Sequence, residues 1–405
     1  MVKAGYKQTE VGVIPEDWDV LTLNGIANIA TGSTPPTHDR TLYGDEHLFV
    51  SPTDLGRVKN VTTSLKMLSS KGFRSSRRFP EGSTLFVCIG STIGKTGLAK
   101  VELTSNQQIN AVFPSNALVS EFTYQMLTYR APTITLGASE QALPMINKSE
   151  FGKTKVSVPT INEQKAIAGA LSDVDGLIAG LEALIAKKRS LKTATMQQLL
   201  TGKTRLPGFG EGVGMKQTEL GEIPEDWEVF NFGDHFIIFA GGDVPKHSVS
   251  QIRSEKHPHP IFANAIQHEG IYGYTAEKRS EGDAVTITAR GFLGHAEYRI
   301  APFFPIVRLL VLEPCGGLDA KFSTYAINEG VEFTIESTGV PQLTAPQVKK
   351  YSLFGPKDKN EQVAIAETLA DFDVLITALA SKLSKTKALK QGMMQELLTG
   401  RTRLI

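Results

Sequence analysis

The 405-residue chain is short of the residues and runs that mark several protein classes. It has only two cysteines, Cys88 and Cys315. That excludes a disulfide framework and a cysteine-based zinc cluster, and a reducing cytoplasm is the compartment that fits. No apolar run approaches the ~18 residues of a membrane helix, and the polar, charged stretch before Asp19 is unlike a secretory signal. An excess of one charge is also missing: 43 basic against 42 acidic side chains leave a net +1. Residues 207–357 carry 13 basic and 19 acidic side chains. Nucleic acid binding there would need a local basic patch, because the overall field opposes phosphates.

Catalytic signatures are equally scarce. Gly90-Ser91-Thr92-Ile93-Gly94-Lys95-Thr96 has three residues between its glycines where a phosphate loop has four, so a glycine turn presenting Lys95 is the better reading. His257-Pro258-His259 has no carboxylates at metal-ligand spacing, and no metal site is expected. Asp173/Asp175 and Asp371/Asp373 lie two apart, which on a helix points them in different directions. No dinucleotide fingerprint or nucleophile elbow occurs, and Pro35-Pro36 lacks the flanks of an amino-methyltransferase motif. The chain is expected not to be an enzyme by itself and to hold no cofactor.

What the chain does have is written twice. Asn162-Glu163-Gln164 through Leu206 returns from Asn360-Glu361-Gln362 through Leu404, with about half the positions identical. In the first copy Ile167, Leu171, Val174, Ile178, Leu181 and Ile185 alternate four- and three-residue steps. Ile365, Leu369, Phe372, Ile376, Leu379 and Leu383 repeat the series. This 3.5-residue period is a coiled-coil seam. Thr160 with Glu163, and Asp358 with Glu361, have capping-box spacing, and Gly202 and Gly400 stand where the helices should stop. Roughly 38 residues of helix make a rod of about 57 Å, whose apolar stripe needs a partner; the other copy supplies one.

A second repeat leads into each half. Ile14-Pro15-Glu16-Asp17-Trp18 returns as Ile223-Pro224-Glu225-Asp226-Trp227 and holds the only two tryptophans. A turn at the proline and an anchoring tryptophan account for the motif. The expected organisation is 1–159, a first globular domain; 160–206, a helix; 207–357, a linker, the repeated motif and a second globular domain; and 358–405, a second helix. The blocks between the repeats hardly resemble each other in sequence. Strand runs such as Ser83–Ile89, Asn106–Val112, Ala284–Thr288 and Pro305–Leu312, with a helical stretch at Glu121–Tyr129, predict compact strand-rich α/β (α+β) domains.

Glycine turns presenting isolated cations beside amides suit binding to phosphates and base edges. The candidates are Arg77, Arg78, Lys95, Gln107, Gln108 and Asn110 in the first block, and Arg290, His295 and Arg299 in the second. A competing class is a coiled-coil scaffold or adaptor that binds proteins and not DNA.

The repeated Ile-Pro-Glu-Asp-Trp motif, the repeated Asn-Glu-Gln helices ending Leu-Leu-Thr-Gly-(Lys/Arg)-Thr-Arg-Leu, Gly90–Gly97 with Asn106–Asn110, and Arg290–His295 together resemble the specificity subunits of type I restriction–modification systems. The resemblance implies two target-recognition domains separated by two long antiparallel coiled-coil helices in a pseudo-two-fold chain. Each domain would read half of a bipartite, asymmetric double-stranded DNA target, with helix length setting the unread spacer. It implies a non-catalytic chain partnered by two modification (adenine-N6 methyltransferase) subunits and by restriction subunits. S-adenosylmethionine, ATP and Mg would belong to those partners.

Overall fold

Both apolar stripes fold as continuous helices, Ile161–Leu199 and Lys359–Leu397. The computed structural model describes residues 3–138, 144–245, 248–334 and 342–404. All twelve seam positions are buried or half-buried while most of their helical neighbours are exposed, as an apolar stripe facing a partner requires. The chain divides into two compact units, Met1–Glu182 with Ser381–Ile405, and Ala183–Ala380.

In the first unit the strand Tyr6–Thr9 pairs with Gly12–Pro15 as a hairpin, and Asp19–Thr22 pairs with Lys155–Val158 just before the long helix. A five-stranded sheet follows the order Ile29–Thr31, Ile109–Val112, Thr84–Val87, Thr96–Ala99, Asn60–Val61. A second sheet runs Tyr43–Gly44, Lys66–Leu68, His47–Val50, Leu103–Ser105, Arg78–Phe79. The core joins Trp18, Phe86, Phe122 and Phe151 to Ile167 and Leu171 of one helix and to Met394, Leu397 and Leu398 of the other. Lys390 reaches Asp175 at 2.6 Å and Lys387 reaches Glu182 at 2.7 Å, so the two helix segments run antiparallel within this unit.

The second unit repeats the plan. Trp227–Asn231 pairs with Ser352–Pro356, and a four-stranded sheet runs Phe236–Ala240, Leu310–Pro314, Ala284–Ile287, Ala296–Arg299. Its order matches the first four strands of the first unit's five-stranded sheet, so blocks with little common text share one framework. Leu199 and Leu200 pack with Ile365, Ala366 and Leu369, and Lys192 meets Asp373 at 2.6 Å. The sheets are mostly antiparallel with helices beside them, an α+β arrangement.

The repeated motifs meet crosswise. In the first unit Arg403 grips Asp17 through two bonds of 2.9 and 2.7 Å and Glu163 through two of 2.6 and 3.0 Å. In the second, Arg205 grips Asp226 at 2.9 and 2.8 Å and Glu361 at 2.5 and 2.6 Å. Each arginine also lies over the motif tryptophan, Trp18 or Trp227. Gly400 and Gly202 (both φ +69°) make the approach possible, because a Cβ would fall 2.5 Å from Pro15 or 2.4 Å from Pro224. The tail of one helix thus closes on the start of the other and on the motif before it.

Three expectations need correction. Neither capping box forms in full: Thr160 Oγ1 accepts from Glu163 N at 3.3 Å while the Glu163 carboxylate is taken by Arg403 and Trp18, and Asp358 Oδ1 accepts from Asn360 N at 2.9 Å while the Glu361 carboxylate is taken by Arg205. The strand expected over Pro305–Leu312 is broken, because Val307 and Arg308 adopt φ +52° and +59° and turn the chain between Phe304–Pro305 and Leu310–Pro314. The strand expected from Asn106 begins only at Ile109, because Asn106 to Gln108 form a turn.

The two tryptophans differ in one atom's fate. Trp18 Nε1 donates to Glu163 Oε2 at 2.9 Å, whereas Trp227 Nε1 is buried without a partner among the described residues. Trp18→Phe is therefore expected to destabilise by about 1–3 kcal/mol more than Trp227→Phe, the worth of a hydrogen bond to a charged group. Urea unfolding of both variants measures it, and equal losses would refute the difference.

Candidate nucleic-acid interface

In the first unit the Thr84–Val87/Thr96–Ala99 hairpin carries the glycine turn at its tip. Gly90 (φ +96°) and Gly94 (φ +90°) bend the backbone there, and the strand Thr96–Ala99 follows where a phosphate loop would open a helix. Gly90 N donates to Pro144 O, and Ile146 N donates to Cys88 O, both at 2.9 Å, so the tip is anchored from one side. The Asn106–Gln108 turn adjoins it: Asn106 Nδ2 donates to Gln108 Oε1 at 2.9 Å, and Gln108 Nε2 donates to Ile89 O at 3.4 Å.

A third segment completes this surface. Thr34 Oγ1 donates to Gln107 Oε1 at 2.5 Å, and Arg77 donates through Nη1 to Thr31 O at 2.5 Å and through its backbone N to Ser33 Oγ at 3.0 Å. Arg77 and Gln107 thus come together through the segment 31–34 at the end of the strand Ile29–Thr31. Arg78 is exposed, 3.7 Å from Glu102 and over the Phe73 ring, so it belongs to the neighbouring edge. Lys95 is half-buried without an ion pair among the described residues and shares a groove with Arg57 and Lys59. Asn110 is removed from the surface. It is 2% exposed, accepting from Thr31 Oγ1 at 2.6 Å and donating to Cys88 Sγ at 3.1 Å. Burial pushes that thiol up to about 12, so both side chains act as core.

The second unit presents the equivalent hairpin, Ala284–Ile287/Ala296–Arg299, with different chemistry at its tip. Leu343 N donates to Ala289 O at 3.0 Å, the counterpart of the Ile146 anchor. Arg290 is exposed and directs Nε and Nη2 to Gln342 Oε1 at 3.0 and 2.6 Å, while its carbonyl accepts from Asn264 Nδ2 at 2.9 Å. His295 Nε2 lies 3.0 Å from Glu297 Oε1. Arg299 is 5% exposed: it donates to Thr286 Oγ1 at 3.0 Å and lies 4.0 Å over the Phe262 ring. Desolvation lowers its basicity, and it props the sheet rather than reaching outward.

Several residues of this candidate surface are not apparent from the sequence. Phe292, between Gly291 and Gly294 at the tip, is 67% exposed and edge-on to His295. Asn264 and Gln342 position Arg290 from elsewhere in the chain. An aromatic between two turn glycines was the available signal for Phe292; nothing in the sequence ties Asn264 or Gln342 to Arg290. The arrangement offers one polar tip with amides and a lysine, and a second with an arginine, an imidazole and a ring.

The family model described as Type I restriction modification DNA specificity domain matches residues 15–187 and 224–387. Among curated proteins, the type I restriction enzyme MjaIX specificity subunit of Methanocaldococcus jannaschii is 24% identical, over 87% of this chain and 86% of its own length. A putative MjaX specificity subunit of the same organism is 25% identical over 98% and 97%. The Escherichia coli EcoprrI specificity subunit is 21% identical over 96% and 95%. Among solved structures, a type I restriction–modification S subunit from M. genitalium aligns with TM-score 0.64 at 17% identity, covering 94% of this chain and 96% of that one. A chain from a structure described by complex assembly and conformational transition of the type I R-M system aligns with TM-score 0.53 at 16% identity, covering 96% and 99%.

Proposed function

The chain belongs to the type I restriction–modification DNA specificity family, and from that premise we propose that its two hairpin tips read the two halves of a bipartite, asymmetric double-stranded DNA target. The observation that carries this reading is the pairing of equivalent hairpins, each tied back by a distant segment, with unlike tips: Lys95 in the turn and Gln108 against Ile89 in one unit, Arg290, Phe292 and His295 in the other. A duplicated frame gives both tips the same role, and different side chains give them different base preferences. The unread spacer is set by the length of the helices. The chain directs chemistry done by partners: two adenine-N6 methyltransferase subunits using S-adenosylmethionine, and restriction subunits using ATP and Mg. In the second unit Leu184, Leu191, Val374 and Leu375 leave apolar surface exposed on the helices, which suits protein partners there.

Co-expression with a type I modification subunit, in a host free of adenine methylation, tests the reading. Sequencing for N6-methyladenine is expected to return one asymmetric two-part motif with a fixed gap. A stable complex that adds no methylation favours the scaffold reading.

A further inference from the structure

A cavity of about 600 Å³ beside the opening hairpin lies wholly within the first unit. Lys3, Arg130 and Arg401 line it. Its one carboxylate, Glu10, is held by Lys155 at 2.6 Å. Among the described residues Arg401 has only Glu396, at 3.8 Å, and Lys3 only the face of Tyr6. Arg130 has no ion pair or hydrogen bond among the described residues, and its Nε is fully buried without a partner. Half-buried, this guanidinium carries a charge that no carboxylate among the described residues neutralises, and a carboxylate from a partner would pair with it.

The cluster exists once although the frame exists twice. Gln164 Oε1 accepts from Val119 N, and Gln362 Oε1 accepts from Asp319 N, which aligns the helices Ser120–Thr135 and Ala320–Gly330. On that alignment Tyr129 and Arg130 correspond to Glu329 and Gly330, and along the repeated hairpin Lys3 and Tyr6 correspond to Gly212 and Met215. A ligand recognised here is taken at one half only.

The rest of the wall narrows the ligand's chemistry. Val11, Val13, Ile14 and Leu398 give it an apolar share that a bare phosphate could not use. Glu10 through Ile14 line it consecutively, and the strand Gly12–Pro15 pairs with Tyr6–Thr9 alone, which leaves its other edge open among the described residues. We propose that this cavity is the docking site for one extended acidic–apolar peptide segment of a partner protein, its carboxylate on Arg130 and its backbone along the open edge of Gly12–Pro15. Strand addition to an exposed edge supplies main-chain bonds, and alternate side chains supply selectivity.

The test uses the full chain and a fluorescein-labelled Val-Glu-Val-Glu-Val-Glu peptide followed by anisotropy, with Val-Lys-Val-Lys-Val-Lys as control. Saturable binding of the acidic peptide alone is expected, with stoichiometry one. Arg130→Gln should weaken it by about tenfold or more, the loss of one charge-assisted bond, without lowering the melting temperature, because no partner inside the chain is abandoned. Arg130→Lys should restore part of the affinity. No binding, equal binding by the control or by Arg130→Gln, or displacement by millimolar phosphate or by duplex DNA each overturns the proposal; the last two would mark a phosphate site.

Discussion

Arg403→Ala is expected to destabilise the first unit by about 3–5 kcal/mol, the usual result of removing one partner from a buried ion pair. Glu163 is fully buried, and without Arg403 it keeps only the Trp18 indole. Arg205→Ala should do the same to the second unit, where Glu361 is 2% exposed and the Trp227 indole donates nothing. Asp17→Asn should cost far less, since Asp17 is half-exposed. Thermal unfolding with amide hydrogen exchange, which assigns the loss to a unit, measures all three. A drop below about 1 kcal/mol for either arginine would reduce these clamps to surface pairs. Acid should weaken both. Arg403 and Arg205, by hydrogen bonding, hold Asp17 and Asp226 below the ordinary carboxylate range. Their stabilising effect is complete above the unfolded carboxylate value and fades as pH falls through the lowered ones.

Arg290→Ala is expected to relax recognition at one half-site and leave the other intact. A good bidentate arginine–base pair is worth about 1–3 kcal/mol of discrimination. Arg290 is exposed, and in the free chain its donors rest on Gln342 Oε1, a contact that a base edge can replace. Phe292→Ala should weaken binding to the same half-site, since its exposed ring is available for apolar contact with DNA. Methylation sequencing of variant complexes reads both effects. An unchanged motif, or equal decay at both half-sites, would remove this tip from base recognition.

The helices and repeated motifs were legible because periodicity and repetition survive in one dimension: twelve seam positions found by spacing are all shielded. Which copy meets which was not legible. Repetition says that Arg205 and Arg403 are equivalent, as are Asp17 and Asp226, yet it is silent on the crosswise pairing. Apolar content likewise cannot show the sign of φ, so the turn at Val307 and Arg308 lay hidden in a strand-like run. Arg299 and Asn110 look like surface donors in text, and only the strand pairings put them on inner faces. The tips' positions were readable from their glycines, but their anchoring contacts come from distant segments.

The clamp at Arg403 also sets an order of assembly during synthesis. The second unit, Ala183–Ala380, is one unbroken stretch and can close as soon as it leaves the ribosome. The first unit needs Ser381–Ile405. At about 5–20 residues per second, its opening part waits on the order of 10–40 s for Arg403, with the Glu163 carboxylate and the Ile167–Leu171 face uncovered meanwhile. The unit begun first is finished last, so a frameshift at codons 381–405 would damage the unit that Met1–Glu182 opens.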